Sequence, residues 1–89
     1  TGTNIFNNTF FNQSNADIYG SSYTYNNIFN NTFINSSTGV YLYNGAKYNN
    51  VYNNRFYFSR YGVTAELNSI NNTINNNYFF IVSYLFLWR

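Results

Sequence analysis

The stretch Asn27–Phe33 has the sequence NIFNNTF, and close copies of it recur at a fixed interval on both sides. Asn4–Phe10 has the same seven letters 23 residues earlier, and Asn50–Phe56 (NVYNNRF) and Thr73–Phe79 (TINNNYF) follow at further steps of 23. A fixed period of about 20 to 50 residues is typical of proteins built from stacked repeats. The sequence therefore predicts one repeat-built domain over residues 1–89, with units at approximately 3–25, 26–48, 49–71 and 72–89.

The spacing inside each unit indicates a corner at the paired asparagines. Side chains alternate between the two faces of a strand, so Ile28 and Asn30 are expected to face the same way. Phe33 comes three residues after Asn30, and an odd step cannot keep one face in a continuous strand. We therefore expect the backbone to bend at Asn30 and Asn31, because asparagine tolerates the left-handed conformation that a corner requires.

The second half of each unit repeats as well. Gly39–Leu42 (GVYL) returns 23 residues later as Gly62–Ala65 (GVTA) and again as Leu85–Trp88 (LFLW). Turns rich in Asn, Ser and Gly separate these short segments, and the chain has no Pro and no helical period. The sequence thus predicts an all-β fold, a single-stranded parallel β-helix (β-solenoid) of about four rungs of 23 residues. Its strands would stack in register about 4.8 Å apart.

The pattern Asn-x-Ile-x-Asn-Asn-x-Phe followed by Gly-Val-x-Leu resembles the right-handed parallel β-helix repeats of the pectin-lyase-like superfamily. It is most similar to the NosD-like, or carbohydrate-binding and sugar-hydrolase, type of repeat, and the resemblance runs from about Asn4 to Trp88. The resemblance implies a right-handed coil. It does not imply one activity, because the same coil serves lyases, hydrolases, phage tailspikes, adhesins and surface-layer proteins.

Stacked rungs place equivalent residues in columns. Three columns are expected in the core: Ile5, Ile28, Val51 and Ile74; Phe10, Phe33, Phe56 and Phe79; and Ile18, Val40, Val63 and Phe86. Two amide columns are expected beside them: Asn7, Asn30, Asn53 and Asn76, and Asn8, Asn31, Asn54 and Asn77. An amide carries both a donor and an acceptor, so identical asparagines at strand spacing can bond each to the next. We interpret these residues as a structural ladder rather than a ligand site.

Aromatic residues make up 25% of the chain, which is more than a narrow coil can hold inside. The alternation predicts that two rows point outward: Phe6, Phe29 and Tyr52, and Phe11, Ile34, Tyr57 and Phe80. Two interpretations remain open for these rows. The rings either stack on one another and stabilise the solenoid, or form a contact surface for identical copies, carbohydrate or another cell surface.

The charged residues argue against catalysis and against nucleic-acid binding. They amount to 7% of the chain, with no clustered basic face, and Asp17 and Glu66 are the only carboxylates. Glycoside hydrolysis needs paired carboxylates and a calcium site needs several, so we expect no enzyme activity and no catalytic residues. The chain also has no His, Cys or Met. We therefore expect no metal and no cofactor, including the copper that the resemblance to NosD implies.

Composition gives a weaker indication of location. High Asn, Tyr, Ser and Thr with little charge is compatible with an extracellular or cell-surface protein. Asn12, Asn35 and Asn71 lie in sequons near predicted turns and are candidate glycan acceptors, whereas Asn7 and Asn30 are expected to face inward. The apolar run Tyr78–Trp88 falls short of the ~20 residues of a membrane helix, so we interpret it as strand and expect no membrane span.

Three functions are compatible with the composition and the repeats. The first is a structural extracellular subunit that self-associates head to tail into a filament or surface fibre, because neither end shows an obvious polar capping unit. It would be adhesive if the outer aromatic rows bind a surface. The second is a carbohydrate-binding or carbohydrate-processing β-helix domain that is a fragment of a larger protein. The third, a prion-like disordered segment, is disfavoured because low-complexity sequence has no reason to keep a strict 23-residue phase.

Overall fold

The computed structural model describes residues 2–89, which form short β-strands joined by tight corners and contain no helix. The strands are β1 (Asn4–Phe6), β2 (Thr9–Phe11), β3 (Ala16–Ser21), β4 (Asn27–Phe29), β5 (Thr32–Ile34), β6 (Thr38–Tyr43), β7 (Asn50–Tyr52), β8 (Arg55–Tyr57), β9 (Tyr61–Ala65), β10 (Thr73–Asn75), β11 (Tyr78–Phe80) and β12 (Tyr84–Trp88). Accordingly, no helix in this part of the chain is long and apolar enough to cross a membrane.

Three parallel sheets run along the axis of the coil, and each has one strand from every rung. Sheet A has the order β1-β4-β7-β10, sheet B β2-β5-β8-β11, and sheet C β3-β6-β9-β12. Each strand pairs with the equivalent strand one repeat away, so that Ile5 lies beside Ile28 and Phe10 beside Phe33. The predicted all-β fold, a β-solenoid of about four turns of 23 residues, is confirmed.

The core fills the space between the three sheets. The aliphatic residues Ile28 and Val51 and the rings Phe33 and Phe56 are fully buried. The phenylalanine column is a continuous stack, in which successive ring centres lie 5.1, 4.6 and 4.9 Å apart from Phe10 to Phe79. Hydrophobic burial and ring stacking therefore act along the axis, rung upon rung, rather than around one centre.

The third predicted core column is buried in three rungs only. Ile18, Val40 and Val63 are buried, whereas Phe86 remains 47% exposed. The prediction for Phe86 is wrong because it lies in the last rung, where no described strand covers its far side.

Gly39 and Gly62 give the phenylalanine column its room. A Cβ on Gly39 would lie 2.5 Å from the Phe56 ring, and one on Gly62 would lie 2.5 Å from the Phe79 ring. Real Cβ atoms do not approach so closely, so each glycine admits the ring of the following rung. The Gly-Val pattern of sheet C is thus a packing requirement of the core.

Candidate functional site

The second amide column is a continuous ladder that is buried at Asn31 and Asn54, half-buried at Asn77 and exposed at Asn8. Nδ2 of Asn31 donates to Oδ1 of Asn54 at 3.1 Å, and Nδ2 of Asn54 donates to Oδ1 of Asn77 at 3.1 Å. The backbone N–H of each donor residue bonds the same oxygen, at 3.0 Å from Asn31 and 2.9 Å from Asn54. The second Nδ2 proton is also used, since Asn54 donates to the C=O of Ile28 at 2.9 Å. These side chains are structural, because their polar groups are occupied within the protein.

The first amide column has a different place. Asn7, Asn30, Asn53 and Asn76 are exposed and have φ values of 60°, 55°, 55° and 52°. The prediction that Asn7 and Asn30 face inward is therefore wrong. A left-handed residue interrupts the alternation of a strand, so the amide after the corner enters the core and the corner amide points to solvent.

A further ladder, which was not predicted from the sequence, lies at the corner before sheet A. Its members are Asn26, Asn49 and Asn72, with Thr3 in the first rung. Nδ2 of Asn26 donates to Oδ1 of Asn49 at 3.0 Å, and Asn49 repeats the bond to Asn72 at 3.0 Å. The 23-residue recurrence of these asparagines was a sufficient signal, but they lie just before the motif that begins at Asn27.

The exposed corner amides line a surface groove. Asn30, Asn53 and Asn76 border it together with Arg55 and Tyr78, and its volume is ≈ 480 Å³. Amide groups, a guanidinium and a phenol are the polar groups with which proteins bind hydroxylated or anionic ligands. The groove brings these polar groups together and is the candidate ligand site.

The outer row of sheet A stacks on itself. The ring centres of Phe6 and Phe29 lie 5.1 Å apart and those of Phe29 and Tyr52 lie 5.2 Å apart, both nearly parallel. Beside the rings, Nδ2 of Asn27 donates to Oδ1 of Asn4 at 3.0 Å, so an outer amide row accompanies the inner ones. This geometry favours the stabilising interpretation for the row.

The outer row of sheet B is more exposed. Phe11 and Phe80 are exposed, and Ile34 and Tyr57 are half-buried. In rungs 3 and 4 this row joins two corner residues to form an apolar surface, which we call the sheet B patch: Tyr57, Phe58, Tyr78, Phe80 and Ile81. Phe58 and Ile81 occupy the left-handed corner that holds Asn12 and Asn35 in the first two rungs.

The two carboxylates have separate structural contacts. Asp17 accepts a hydrogen bond from Ser36 Oγ, while its Oδ1 is buried without a partner in the described part of the chain. Burial raises the pKa of Asp17, and the bond from Ser36 partly opposes that shift. Glu66 forms an ion pair with Arg89 and accepts a hydrogen bond from Tyr41 Oη. The hydrogen bond to Glu66, with smaller contributions from burial and nearby charges, raises the pKa of Tyr41 to about 12.

The candidate glycan acceptors lie on the surface. Asn12, Asn35 and Asn71 are exposed, each at a left-handed corner. Nδ2 of Asn35 donates to Oδ1 of Asn12 at 2.8 Å. A glycan on Asn35 would replace one of the two Nδ2 protons, and the other proton would have to make this bond, whereas the side chain of Asn71 makes no such bond to a neighbouring rung among the contacts of residues 2–89.

Comparison with known proteins agrees with the fold. A family model described as "Periplasmic copper-binding protein (NosD)" matches residues 1–83. The chain belongs to the NosD family. The NosD-like resemblance predicted from the repeats is thereby confirmed, and the periplasmic description of the family agrees in coarse terms with a location outside the cytoplasm. Searches of curated proteins and of solved structures found no match.

The residues of this NosD-family chain do not fit the copper of the family description. Copper in proteins is held by thiolate, thioether and imidazole groups, and the sequence has no Cys, Met or His. Within residues 2–89, no three acidic or other metal-ligating side chains come together either. The inward-facing positions of the rungs hold Ile, Phe and bonded Asn, so the chemistry of the donor set is that of a packed core.

Proposed function

We propose that this chain is a non-catalytic β-solenoid of an exported NosD-family protein, whose rungs associate head to tail with those of identical copies to form a filament or surface fibre. The observation that carries the proposal is the repeated set of bonds between rungs. Asn53 N–H donates to Asn76 C=O at 3.0 Å, and Tyr78 N–H donates to Asn54 C=O at 2.9 Å. The same two bonds join the first rung to the second, where Asn7 N–H and Asn8 C=O take part.

One further step of the same pattern makes the two ends complementary. Asn76 N–H would donate to Asn7 C=O of a second copy, and Thr9 N–H of that copy would donate to Asn77 C=O. Phe79 would stack on Phe10 as Phe56 stacks on Phe79, at about the 4.9 Å of that pair. Such a heterologous contact does not close on itself and therefore produces a fibre. The edges fit further rungs of a longer polypeptide equally well, so the experiment uses the chain by itself.

The placement of the carboxylates supports a non-catalytic role. Asp17 lies in β3 and Glu66 follows β9, two strands further along sheet C. With about 4.8 Å between strands and about 3.3 Å per residue, their backbones are roughly 16 Å apart. Paired glycosidase carboxylates lie about 5 to 9.5 Å apart. Each carboxylate here also has its own structural partner.

Electron microscopy and sedimentation velocity over a range of concentrations test the proposal, with Thr9→Pro as the diagnostic variant. The equivalent N–H groups of Thr32 and Tyr78 donate toward the preceding rung, so that of Thr9 is directed at the open edge. Proline there removes an edge donor without removing a bond inside the chain. The wild type should form filaments, and Thr9→Pro should remain monomeric with an unchanged melting temperature. A wild-type chain that stays monomeric at high concentration would contradict the proposal.

A second candidate function rests on the corner groove, which favours a carbohydrate-binding domain of a larger protein. Asn53 and Asn76 present exposed amides there, and Arg55 offers an exposed cation for an acidic sugar. Isothermal titration with polygalacturonate would test this function. Arg55→Gln should abolish binding while Arg89→Gln, whose cation lies elsewhere, should not. Equal binding by both variants would exclude the groove.

A further inference from the structure

Two exposed apolar residues occupy corners where the backbone disfavours them. Phe58 and Ile81 have φ values of 55° and 54°, and Asn12 and Asn35 hold the equivalent corner in rungs 1 and 2 with 58° and 56°. Asparagine tolerates this conformation, whereas bulky and especially β-branched residues do not. The side chains are 51% and 68% exposed, so burial in the core does not offset the strain. Core packing therefore gives no reason for these residues.

The two corner residues belong to one continuous surface, the sheet B patch. The ring centre of Phe58 lies 5.6 Å from that of Phe80, and the ring of Tyr57 lies 6.4 Å from Phe80 and 6.0 Å from Tyr78. Ile81 follows Phe80 at the corner. Three large exposed apolar side chains and two tyrosines thus project from the same side of rungs 3 and 4, an arrangement that marks an interaction site.

The charges around the patch are of one sign. Arg55 is exposed and lies on the outer face of β8 with Tyr57, and Arg60 is exposed just after the corner, with its guanidinium carbon 5.3 Å from the centre of the Tyr61 ring. Neither carboxylate borders the patch, since Asp17 bonds Ser36 in the first two rungs and Glu66 pairs with Arg89. The surface is therefore apolar and cationic.

This combination fits one class of occupant better than the others. Two copies meeting through the same patch would place arginines of both copies at one interface with no carboxylate beside them, which disfavours a symmetric dimer. A sugar needs a flat ring platform, and the protruding aliphatic chain of Ile81 does not offer one. Aromatic and aliphatic side chains that project beside arginines are typical of proteins that lie on an anionic bilayer, where the apolar groups enter the boundary of the acyl chains and the cations contact phosphate.

We infer that the sheet B patch docks the solenoid laterally on an anionic phospholipid surface, with Phe58, Phe80 and Ile81 entering the interface and Arg55 and Arg60 contacting lipid phosphates. This role is independent of the head-to-tail association, which uses the strand edges at the ends. Because the patch lies on the side of the coil, a stacked fibre would present one such patch per copy.

The test is co-sedimentation of the full chain with vesicles of phosphatidylglycerol and of phosphatidylcholine. The wild type should bind the phosphatidylglycerol vesicles at least about tenfold more tightly, as expected where anionic lipid attracts basic residues. The variant Phe58→Asn with Ile81→Asn should lose about tenfold or more of that affinity, because it removes two inserted side chains. It places at these two corners the asparagine that rungs 1 and 2 have there, so its melting temperature should not fall.

A matched control changes exposed left-handed residues on another corner. Tyr25→Asn with Tyr48→Asn makes the same kind of substitution at φ values of 57° and 59°, away from the patch. Its vesicle affinity should equal that of the wild type. Three results would overturn the inference. The first is unchanged vesicle binding by Phe58→Asn with Ile81→Asn, and the second is equal binding of the wild type to both lipids. The third is a wild-type dimer that forms without vesicles and is lost in this variant. The last outcome would assign the patch to a second copy.

Discussion

Asn53 and Asn54 are neighbours in the chain, and their two columns show how one residue type serves two physical roles. Asn53 is exposed at a left-handed corner with φ 55°, whereas Asn54 is 1% exposed and bonded to the rungs on both sides. Asparagine suits the first position because its short side chain tolerates positive φ, and the second because an amide both donates and accepts. The corner column bends the chain, and the interior column holds the rungs together.

The largest expected difference between interior and corner concerns two glycines. Gly39→Ala should lower the free energy of unfolding by about 3 kcal/mol, because overpacking a full core forces side chains and backbone to move. The new Cβ would lie 2.5 Å from the Phe56 ring and 2.9 Å from the backbone oxygen of Gly62. Gly45 lies at a corner with φ +80° and open space around it, so Gly45→Ala should cost only about 1 kcal/mol. Urea denaturation of both variants measures the difference, and equal losses would contradict the packing described for Gly39.

The ladder of Asn26, Asn49 and Asn72 gives the second comparison. Asn49→Ala should cost about 2 kcal/mol, because it leaves buried partners unsatisfied. Among them are Nδ2 of Asn26 and the C=O of Tyr23, which bond Asn49 at 3.0 and 2.9 Å. Asn50 is exposed and bonds Asn27 only on the outside, so Asn50→Ala should cost about 0.5 kcal/mol. Thermal denaturation of both variants checks this. A larger loss at Asn50 would show that the outer amide row is the stabilising one.

The third comparison concerns residue type at the corner. Ile81→Asn should raise the free energy of unfolding by about 1 kcal/mol, since it relieves a β-branched residue at positive φ. Ile34 points outward from strand β5, where β-branched residues are favoured, so Ile34→Asn should instead lower stability. Guanidinium denaturation of the two variants should shift the midpoint in opposite directions. A less stable Ile81→Asn variant would mean that a contact of Ile81 stabilises the protein by more than the backbone strain costs.

The smallest effect concerns the half-buried carboxylate of Asp17. Burial raises its pKa in the folded state above the ordinary value of 3.8, so the folded protein holds this proton more tightly than the unfolded chain. Stability should therefore decline as pH rises from 3.8 through the raised pKa. Asp17→Asn should remove this decline, whereas Glu66→Gln should leave it in place. The free energy of unfolding, measured across the acidic pH range, gives the test. A wild type whose free energy of unfolding rises over this interval would contradict the prediction.

Much of the fold followed from the sequence because the period of 23 fixes which residues stack. The buried column through Asn31 and the phenylalanine stack through Phe33 needed only that period. The period did not predict that the Asn30 side chain faces solvent, because the alternation of faces holds only within a continuous strand and a left-handed residue interrupts it. Asparagine is favoured both at such corners and in ladders, so residue type could not decide between them. The ladder through Asn49 was missed for a different reason, because its asparagines lie just before the repeated strand motif.

The sheet B patch and the corner groove were less predictable from the sequence than the fold. The outward direction of Phe80 follows from alternation, but the strain at Phe58 and Ile81 depends on backbone conformations that no local sequence rule assigns to such residues. The groove likewise arises because three corners stack, which brings amides separated by 23 residues to one surface. The absence of copper ligands, by contrast, was evident from composition alone.

The most direct test of the division between corner and ladder is the pair Asn31→Asp and Asn30→Asp, measured by chemical denaturation at neutral pH. Asn31 Nδ2 donates to the C=O of Ile5 at 2.9 Å and to Oδ1 of Asn54 at 3.1 Å, and a carboxylate there would place like partial charges against both. Asn31→Asp should therefore cost about 3 kcal/mol. Asn30→Asp should cost less than about 0.5 kcal/mol, because aspartate also tolerates the exposed left-handed corner. Equal losses at the two positions would contradict the account.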